Sequence, residues 1–157
     1  MVDAQLKYAV VERERRFLVS GVPDGVVGTR RIVDRYVTGT RLRLREVVDV
    51  DGSVTRKLTH KVRLGDSPAE VACTNLYLDD AEWAALQSLP GAELRKTRHL
   101  VERDGTVVAI DELDDGTLLA EIDDADQPSA AVPEWLDVVR DVSGDEEWTG
   151  AGLAARG

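Results

Sequence analysis

The chain has 157 residues, of which 43% are hydrophobic, and this predicts a single domain (residues 1–157) with a sizeable core. A formal net charge of −10 argues against nucleic acid as the main partner. The single cysteine, Cys73, excludes a disulfide framework and a thiolate metal site within one chain.

Residues 1–11 lack the apolar run of a signal peptide, and no later segment approaches the length of a membrane-spanning helix. A free thiol is typical of a reducing compartment. We therefore expect a cytoplasmic protein without a membrane partner.

Strand signals dominate the chain, and Asp-Gly turns between them favour antiparallel hairpins. The predicted strands are Val10–Val19, Arg31–Thr38, Arg41–Val50, Thr55–Arg63, Val71–Leu78, Glu93–Glu102, Thr106–Leu113 and Leu118–Asp123.

The other elements are fewer and shorter. Residues 20–28 are predicted to form a loop, because they hold three glycines and a proline. Asp79–Leu86 is predicted to be a helix, with an Asp cap and acidic residues in its first turn. In the tail we expect a helix around Pro133–Leu136, a short strand near Arg140–Ser143 and a final helical piece.

The first strand carries an unusual row of charges. Glu12, Glu14 and Arg16 alternate, so a strand points all three to one face. A hydrophobic core does not tolerate such a row, whereas a site for a divalent cation and an anion would use it.

Other strands also separate an apolar face from a charged face of one sign. The basic members are Arg41, Arg43, Arg45, Lys61, Lys96 and Arg98, and the acidic ones are Glu121 and Asp123. Like charges on neighbouring strands destabilise a sheet unless a counter-charge lies between them. If the sheet closes, these faces line a wet interior, and segments around Trp83, Trp135 and Trp148 cover the apolar outside. A plain solvated sheet explains the pattern about equally well.

Short motifs along nearly the whole chain resemble the CYTH domain, also called the triphosphate tunnel metalloenzyme family, in a small bacterial-type form. The matching pieces, in the family's order, are Val11–Leu18, Ile32–Val37, Arg41–Arg43, Leu58–Lys61, Lys96–Arg98, Ile110–Leu113, Leu119–Asp123 and Asp141–Ser143. Each piece is short, and their order and spacing make the match specific.

The resemblance implies a mainly antiparallel α+β fold, an eight-stranded closed β-barrel that forms a charged tunnel with a few covering helices. It implies a hydrolase that acts on phosphoanhydride bonds with Mg²⁺ or Mn²⁺. Inorganic triphosphate is the expected substrate, with ATP or thiamine triphosphate as further possibilities, in a monomer or homodimer. Two alternatives stay open: a class IV type adenylate cyclase that makes cyclic AMP, and a tunnel that binds polyphosphate or nucleotides without turnover.

The resemblance also implies roles for individual residues. The implied metal ligands are Glu12, Glu14, Glu121 and Asp123. Asp111 is assigned to the same set, in which it would orient the surrounding side chains. The phosphate set is Arg16, Arg41, Arg43, Lys61, Lys96 and Arg98. Glu12, Glu14 and Arg16 are the expected catalytic residues. Tyr36 is interpreted as a half-buried strand tyrosine, with a hydrogen bond to phosphate as the alternative.

The chain departs from the family pattern at two important places. Arg16 stands where the family has lysine, and arginine cannot give up its proton. The stretch Val71–Asn75 lacks the usual acidic pair, and Glu70 lies at the very start of that strand. We therefore expect a weakened or missing second metal site. Smaller changes are Leu113 and Ser143 in place of Phe and Thr.

The chain has two histidines, and strand parity assigns both to the outer face. His60 alternates with Thr59 and Lys61, and His99 follows Arg98. Neither is expected to take part in catalysis.

Overall fold

The computed structural model describes residues 4–125 and 127–157. These residues form nine strands, two short α-helices and two 3₁₀ turns. The strands are β1 (Val10–Val19), β2 (Val26–Val37), β3 (Leu42–Asp49), β4 (Val54–Arg63), β5 (Glu70–Tyr77), β6 (Gly91–Arg103), β7 (Thr106–Leu113), β8 (Leu118–Asp123) and β9 (Val138–Asp141). The helices are α1 (Asp80–Leu86) and α2 (Gly150–Ala154), and the 3₁₀ turns are Ala4–Leu6 and Glu146–Trp148.

Eight of the strands close into an antiparallel barrel, as the resemblance implied. The strand order is β5-β4-β3-β2-β6-β7-β8-β1, and a further pairing of β1 with β5 closes the ring. The first half of β1 pairs with β5, and its last residues pair with β9, which lies outside the ring. Side chains therefore alternate between the inside and the outside on each barrel strand.

Most predicted elements are confirmed, and two differ. β2 begins at Val26, inside the predicted loop, because Val26 and Gly28 pair with β6 across a bulge. The predicted helix at Pro133–Leu136 is wrong. This stretch is a turn in which the Leu136 N–H donates to the Pro133 carbonyl at 3.1 Å. In so short a segment few hydrogen bonds offset the unfavourable free energy of helix nucleation. Packing on the barrel determines the conformation of this turn instead.

A hydrophobic core lies outside the barrel wall formed by β1, β6, β7 and β8. Its buried members are Phe17, Val19, Val101, Val108, Ile110, Ala120 and Leu136. Val132 and Trp135 pack against them, so the segment before β9 covers this face as a turn.

A second apolar cluster closes one end of the barrel from within. Its buried members are Leu94, Leu113, Leu119, Val142, Leu153 and Ala154, and Tyr36 and Trp148 pack beside them. Leu153 and Ala154 belong to α2, so this helix forms an apolar plug against the inward side chains of the strands. The barrel interior is therefore charged over part of its length and apolar at this end.

Gly150 permits the close approach of α2 to the barrel. A Cβ atom at this position would overlap the hydroxyl of Tyr36. We expect Gly150→Ala to destabilise the protein by about 1–3 kcal/mol, because the plug or Tyr36 has to shift. Thermal unfolding is the measurement. Gly144→Ala is the matched control, since nothing lies within 4 Å of its added Cβ. Equal melting temperatures for the two variants would show that the plug is loosely docked.

Neither described helix has the length and apolar character needed to cross a membrane.

Candidate functional site

The inward side chains of the barrel strands surround a cavity of about 280 Å³. The charged residues that line it are Glu12, Glu14, Arg16, Arg43, Arg45, Lys57, Lys61, Lys96, Arg98, Asp111, Glu121 and Asp123. The alternating charged faces of the sequence thus lie on the inside of the closed barrel. The structure brings together all of the predicted site residues except Arg41.

One wall of the cavity is acidic. β1 and β8 pair so that Glu14 lies opposite Asp123, and Glu12 precedes them on the same face. Burial raises the pKa of Glu14, and the neighbouring charges of Glu121 and Glu12 raise it further. These carboxylates therefore repel one another, and a cation between them would relieve the repulsion.

Arg16 is the cation that contacts this acidic wall. It donates to Glu14 Oε2 at 3.0 Å and to Glu121 Oε1 at 3.3 Å. Burial alone would lower the pKa of Arg16, but the two carboxylates raise it. Burial alone would raise the pKa of Glu121, but the charges of Arg98 and Arg16 hold it well below its usual range. Glu121 is therefore ionised and tightly paired, and Arg16 stays protonated.

Asp111 lies among bases. Arg98 donates to both of its oxygens, at 2.7 and 2.9 Å, and Lys96 Nζ lies 2.9 Å from one of them. Arg98 also donates to Glu121 Oε2 at 3.0 Å. Two basic side chains thus hold Asp111, which is consistent with the orienting role.

A second buried ion pair, between Asp34 and Arg45, was not predicted in the sequence analysis. Arg45 donates to both oxygens of Asp34, at 2.6 and 2.7 Å, and Asp34 is fully buried. Burial alone would raise the pKa of Asp34, but Arg45 holds it well below its usual range. The pair depends on the register of β2 and β3, which places Asp34 opposite Arg45.

The remaining predicted phosphate ligands divide between the cavity and its rim. Arg43 is buried in the wall, and Lys61 Nζ lies 3.7 Å from Glu12 Oε2. Arg41 precedes β3 and is exposed at a second cavity of about 230 Å³. Glu14, Arg16, Arg43 and Lys61 line both cavities, so Arg41 lies at an outer mouth of the same tunnel.

The donor set matches a hard cation in chemistry, because Glu12, Glu14, Glu121 and Asp123 offer only oxygens. Within residues 4–125 and 127–157, however, no three His, Cys, Asp or Glu side chains are close enough together to hold a metal ion. Arg16 already contacts two of these carboxylates, Glu14 and Glu121.

Strand β5 contributes no carboxylate to the cavity. Its inward positions are held by Cys73 and Asn75. Glu70 is paired instead with Arg13, at 3.3 Å. Burial, and then the charge of Glu12, raises the pKa of the Cys73 thiol. The part of the cavity lined by β5 is therefore without a carboxylate.

The histidines lie away from the cavity. His99 Nε2 is 3.1 Å from Glu112 Oε1, and neither His60 nor His99 lines either cavity.

The sequence matches no protein-family model and no curated protein, but the fold matches solved structures. The inorganic triphosphatase NE1496 is 22% identical with a TM-score of 0.58, over 98% of this chain and 95% of that chain. This chain shares the fold of NE1496. A further crystal structure of NE1496 gives a TM-score of 0.59 at 22% identity, over 91% of this chain and 97% of that one. A conserved hypothetical protein from Pyrococcus furiosus gives 0.55 at 18% identity, over 78% and 82%. The resemblance to the triphosphate tunnel family is thus confirmed at the level of the fold.

Proposed function

We propose that this protein is a divalent-metal-dependent hydrolase of triphosphate-containing compounds, with inorganic triphosphate as its substrate. The observation that carries the proposal is one cavity that holds both the carboxylates of β1 and β8 and the bases of β3, β4 and β6. A polyanion and a cation together complement a cavity that holds both kinds of charge. The fold shared with an inorganic triphosphatase supports the same substrate class.

The bases bind and orient the phosphate chain. Arg16, Arg43 and Arg98 carry planar guanidinium groups that suit bidentate contacts to phosphate, and Lys61 and Lys96 add point charges. Arg41, at the mouth, meets the incoming anion. Because phosphoryl transfer depends chiefly on positioning and charge neutralisation, these cations supply much of the catalytic effect.

Glu12, Glu14, Glu121 and Asp123 would hold Mg²⁺ or Mn²⁺. Such an ion would polarise the phosphoryl oxygens and lower the pKa of a bound water. Asp111 keeps Arg98 and Lys96 in place while the substrate binds.

Glu14 is the group placed to accept a proton from the attacking water. Arg16 cannot do so, because its guanidinium stays protonated. The Glu14 carboxylate can accept a proton, and in the metal-free protein Arg16 donates to its Oε2. The water oxygen bonds to the terminal phosphorus, the phosphoanhydride bond breaks, and diphosphate leaves as orthophosphate forms.

A phosphate-release screen tests this proposal. The substrates are inorganic triphosphate, thiamine triphosphate, ATP and long-chain polyphosphate, each with Mg²⁺ and with Mn²⁺. We expect the fastest release from inorganic triphosphate. Cyclic AMP formed from ATP would assign a cyclase instead, and tight triphosphate binding without any release would assign a binding protein.

A further inference from the structure

One lysine of the cavity, Lys57, has no bonding partner. It lies on the inward face of β4, four positions before Lys61. Among the described residues, its ammonium makes no hydrogen bond and no ion pair. The other two lysines of the cavity are paired. Lys61 Nζ lies 3.7 Å from Glu12 Oε2, and Lys96 Nζ lies 2.9 Å from a carboxylate oxygen on β7.

The strand beside Lys57 carries further positive charge. Arg45 of β3 lies directly opposite Lys57, and Arg43 is two positions away on the same inward face. Both oxygens of Asp34 accept from Arg45, so this carboxylate is already engaged. On the other side, β5 contributes Asn75 to the cavity and no carboxylate. A negative charge on the side chain of Lys57 would therefore be compensated, whereas its positive charge is not.

Two hydrogen-bond donors near Lys57 are unfilled. Arg43 is only 5% exposed, and its single hydrogen bond to a described residue goes to Thr59 Oγ1, at 3.1 Å. Its Nε is buried and has no partner among these residues. Because a guanidinium only donates, the Thr59 hydroxyl passes its own proton to Asn75 Oδ1, at 2.7 Å. The amide NH₂ of Asn75 is left as a second donor, and both donors favour an anion over a cation on the adjacent lysine.

The same surroundings favour the uncharged amine of Lys57. Burial, and then the charges of Arg45 and Arg43, lower its pKa to about 8. The Cys73 thiol on β5 and Glu12 on β1 act in the opposite direction and are weaker. A lysine beside other cations is an activated nucleophile, whereas an ordinary lysine with a pKa of about 10.4 stays almost wholly protonated near neutral pH.

We propose that Lys57 is a site of reversible carbamate formation, at which carbon dioxide adds to the side-chain amine and the donors of β3 and β5 stabilise the product. The nitrogen lone pair bonds to the carbon of carbon dioxide. One carbon–oxygen π pair moves onto oxygen, and the nitrogen gives a proton to water. The product is an anion that Arg43 and Asn75 stabilise by charge-assisted hydrogen bonds.

The charges of the wall distinguish carbon dioxide from an acylating reagent. An acyl group would convert the amine into a neutral amide and would leave the arginines of β3 as they are. A carbamate instead supplies the negative charge that this wall lacks. Carbamate formation does not depend on the proposed hydrolysis, so either proposal can fail alone.

Chemical trapping on the wild-type protein tests the site. The protein is equilibrated with isotopically labelled carbon dioxide at a pH near the pKa of Lys57, about 8. Triethyloxonium then converts each carbamate into a stable ethyl ester, and fragmentation mass spectrometry assigns the label to individual lysines. The α-amino group, with an ordinary pKa of about 8, serves as the positive reference.

We expect Lys57 to carry at least about tenfold more label than Lys7 or Lys61. Lys7 is exposed and precedes the barrel, and Lys61 shares the inward face of β4 but is paired with Glu12. In guanidinium chloride the label at Lys57 should fall to that at Lys7, because unfolding removes the surrounding cations.

Asn75→Asp tests the stabilising wall. It keeps the oxygen that accepts from Thr59 and replaces the donor with a negative charge, so we expect at least about fivefold less label at Lys57. Gln127→Glu is the control, because it adds the same charge at an exposed position after β8 and should change nothing. Melting curves check that both variants are folded, and the comparison within the wild type needs neither.

No more label at Lys57 than at Lys61 in the folded wild type would overturn the proposal. Label at Lys57 that persists when carbon dioxide is removed before trapping would also overturn it, since a carbamate reverses and a stable adduct does not. Equal label in folded Asn75→Asp and the wild type would reject the stabilisation by this wall.

Discussion

Glu14→Gln should reduce metal-dependent triphosphate hydrolysis by at least about a hundredfold, the usual effect of removing a positioned base. The substitution keeps the shape of the side chain and removes its charge. The fold should survive, because Glu14 is buried beside Glu121 and Glu12, and its charge is repelled by both.

The stability of the metal-free protein distinguishes this effect from unfolding. The pKa of Glu14 is raised in the folded state, so its protonated form stabilises the fold at low pH. That stabilisation is lost as the pH rises through the folded-state pKa. Glu14→Gln should lack this loss and should be at least as stable as the wild type at neutral pH.

Glu112→Gln is the matched control. Glu112 is exposed on the outer face beside His99, so its replacement should change neither activity nor stability appreciably. Phosphate release and thermal unfolding are measured on all three proteins. Wild-type turnover in Glu14→Gln would reject the role of this carboxylate.

Asp34→Asn should destabilise the protein by about 3–5 kcal/mol, the cost of breaking a buried ion pair by removing one partner. Asp34 is fully buried, and Arg45 donates to both of its oxygens. Lys96 and Arg43 also lie 3.9 Å from it. Removing this one negative charge leaves three buried or nearly buried cations with less compensation.

Asp49→Asn, in the same pair of strands, provides the comparison. Asp49 pairs with Arg30 at 2.8 Å, but both side chains are partly exposed. Its loss should change the free energy of unfolding by only about 0–1 kcal/mol. Urea denaturation measures both variants, and similar effects would show that water screens the Asp34 pair.

Much of the fold was predictable because strand alternation is a local property. The bounds of β1, β7 and β8 agree with the sequence prediction. Alternation in Glu12, Glu14 and Arg16 also fixed which side chains share a face, and closure of the sheet turned that face inward. The family resemblance supplied the closure, which local patterns do not determine.

The features that the sequence analysis missed depend on pairing between strands. Asp34 reads as an isolated acid until the register of β2 and β3 places it opposite Arg45. Lys57 shares a face with Thr59 and Lys61, but its lack of an acidic partner depends on the neutral side chains of β5, the strand paired with β4. The turn at residues 133–136 is fixed by packing on the barrel, which a four-residue pattern cannot reveal.

Phosphate release from inorganic triphosphate, measured with Mg²⁺ or Mn²⁺ and again with a chelator, tests the central claim most directly. We predict that the wild-type protein releases orthophosphate and leaves diphosphate, and that the chelator stops the reaction. Absence of release from triphosphate with either metal, or release that the chelator does not affect, would contradict the assignment of this tunnel as a metal-dependent triphosphatase.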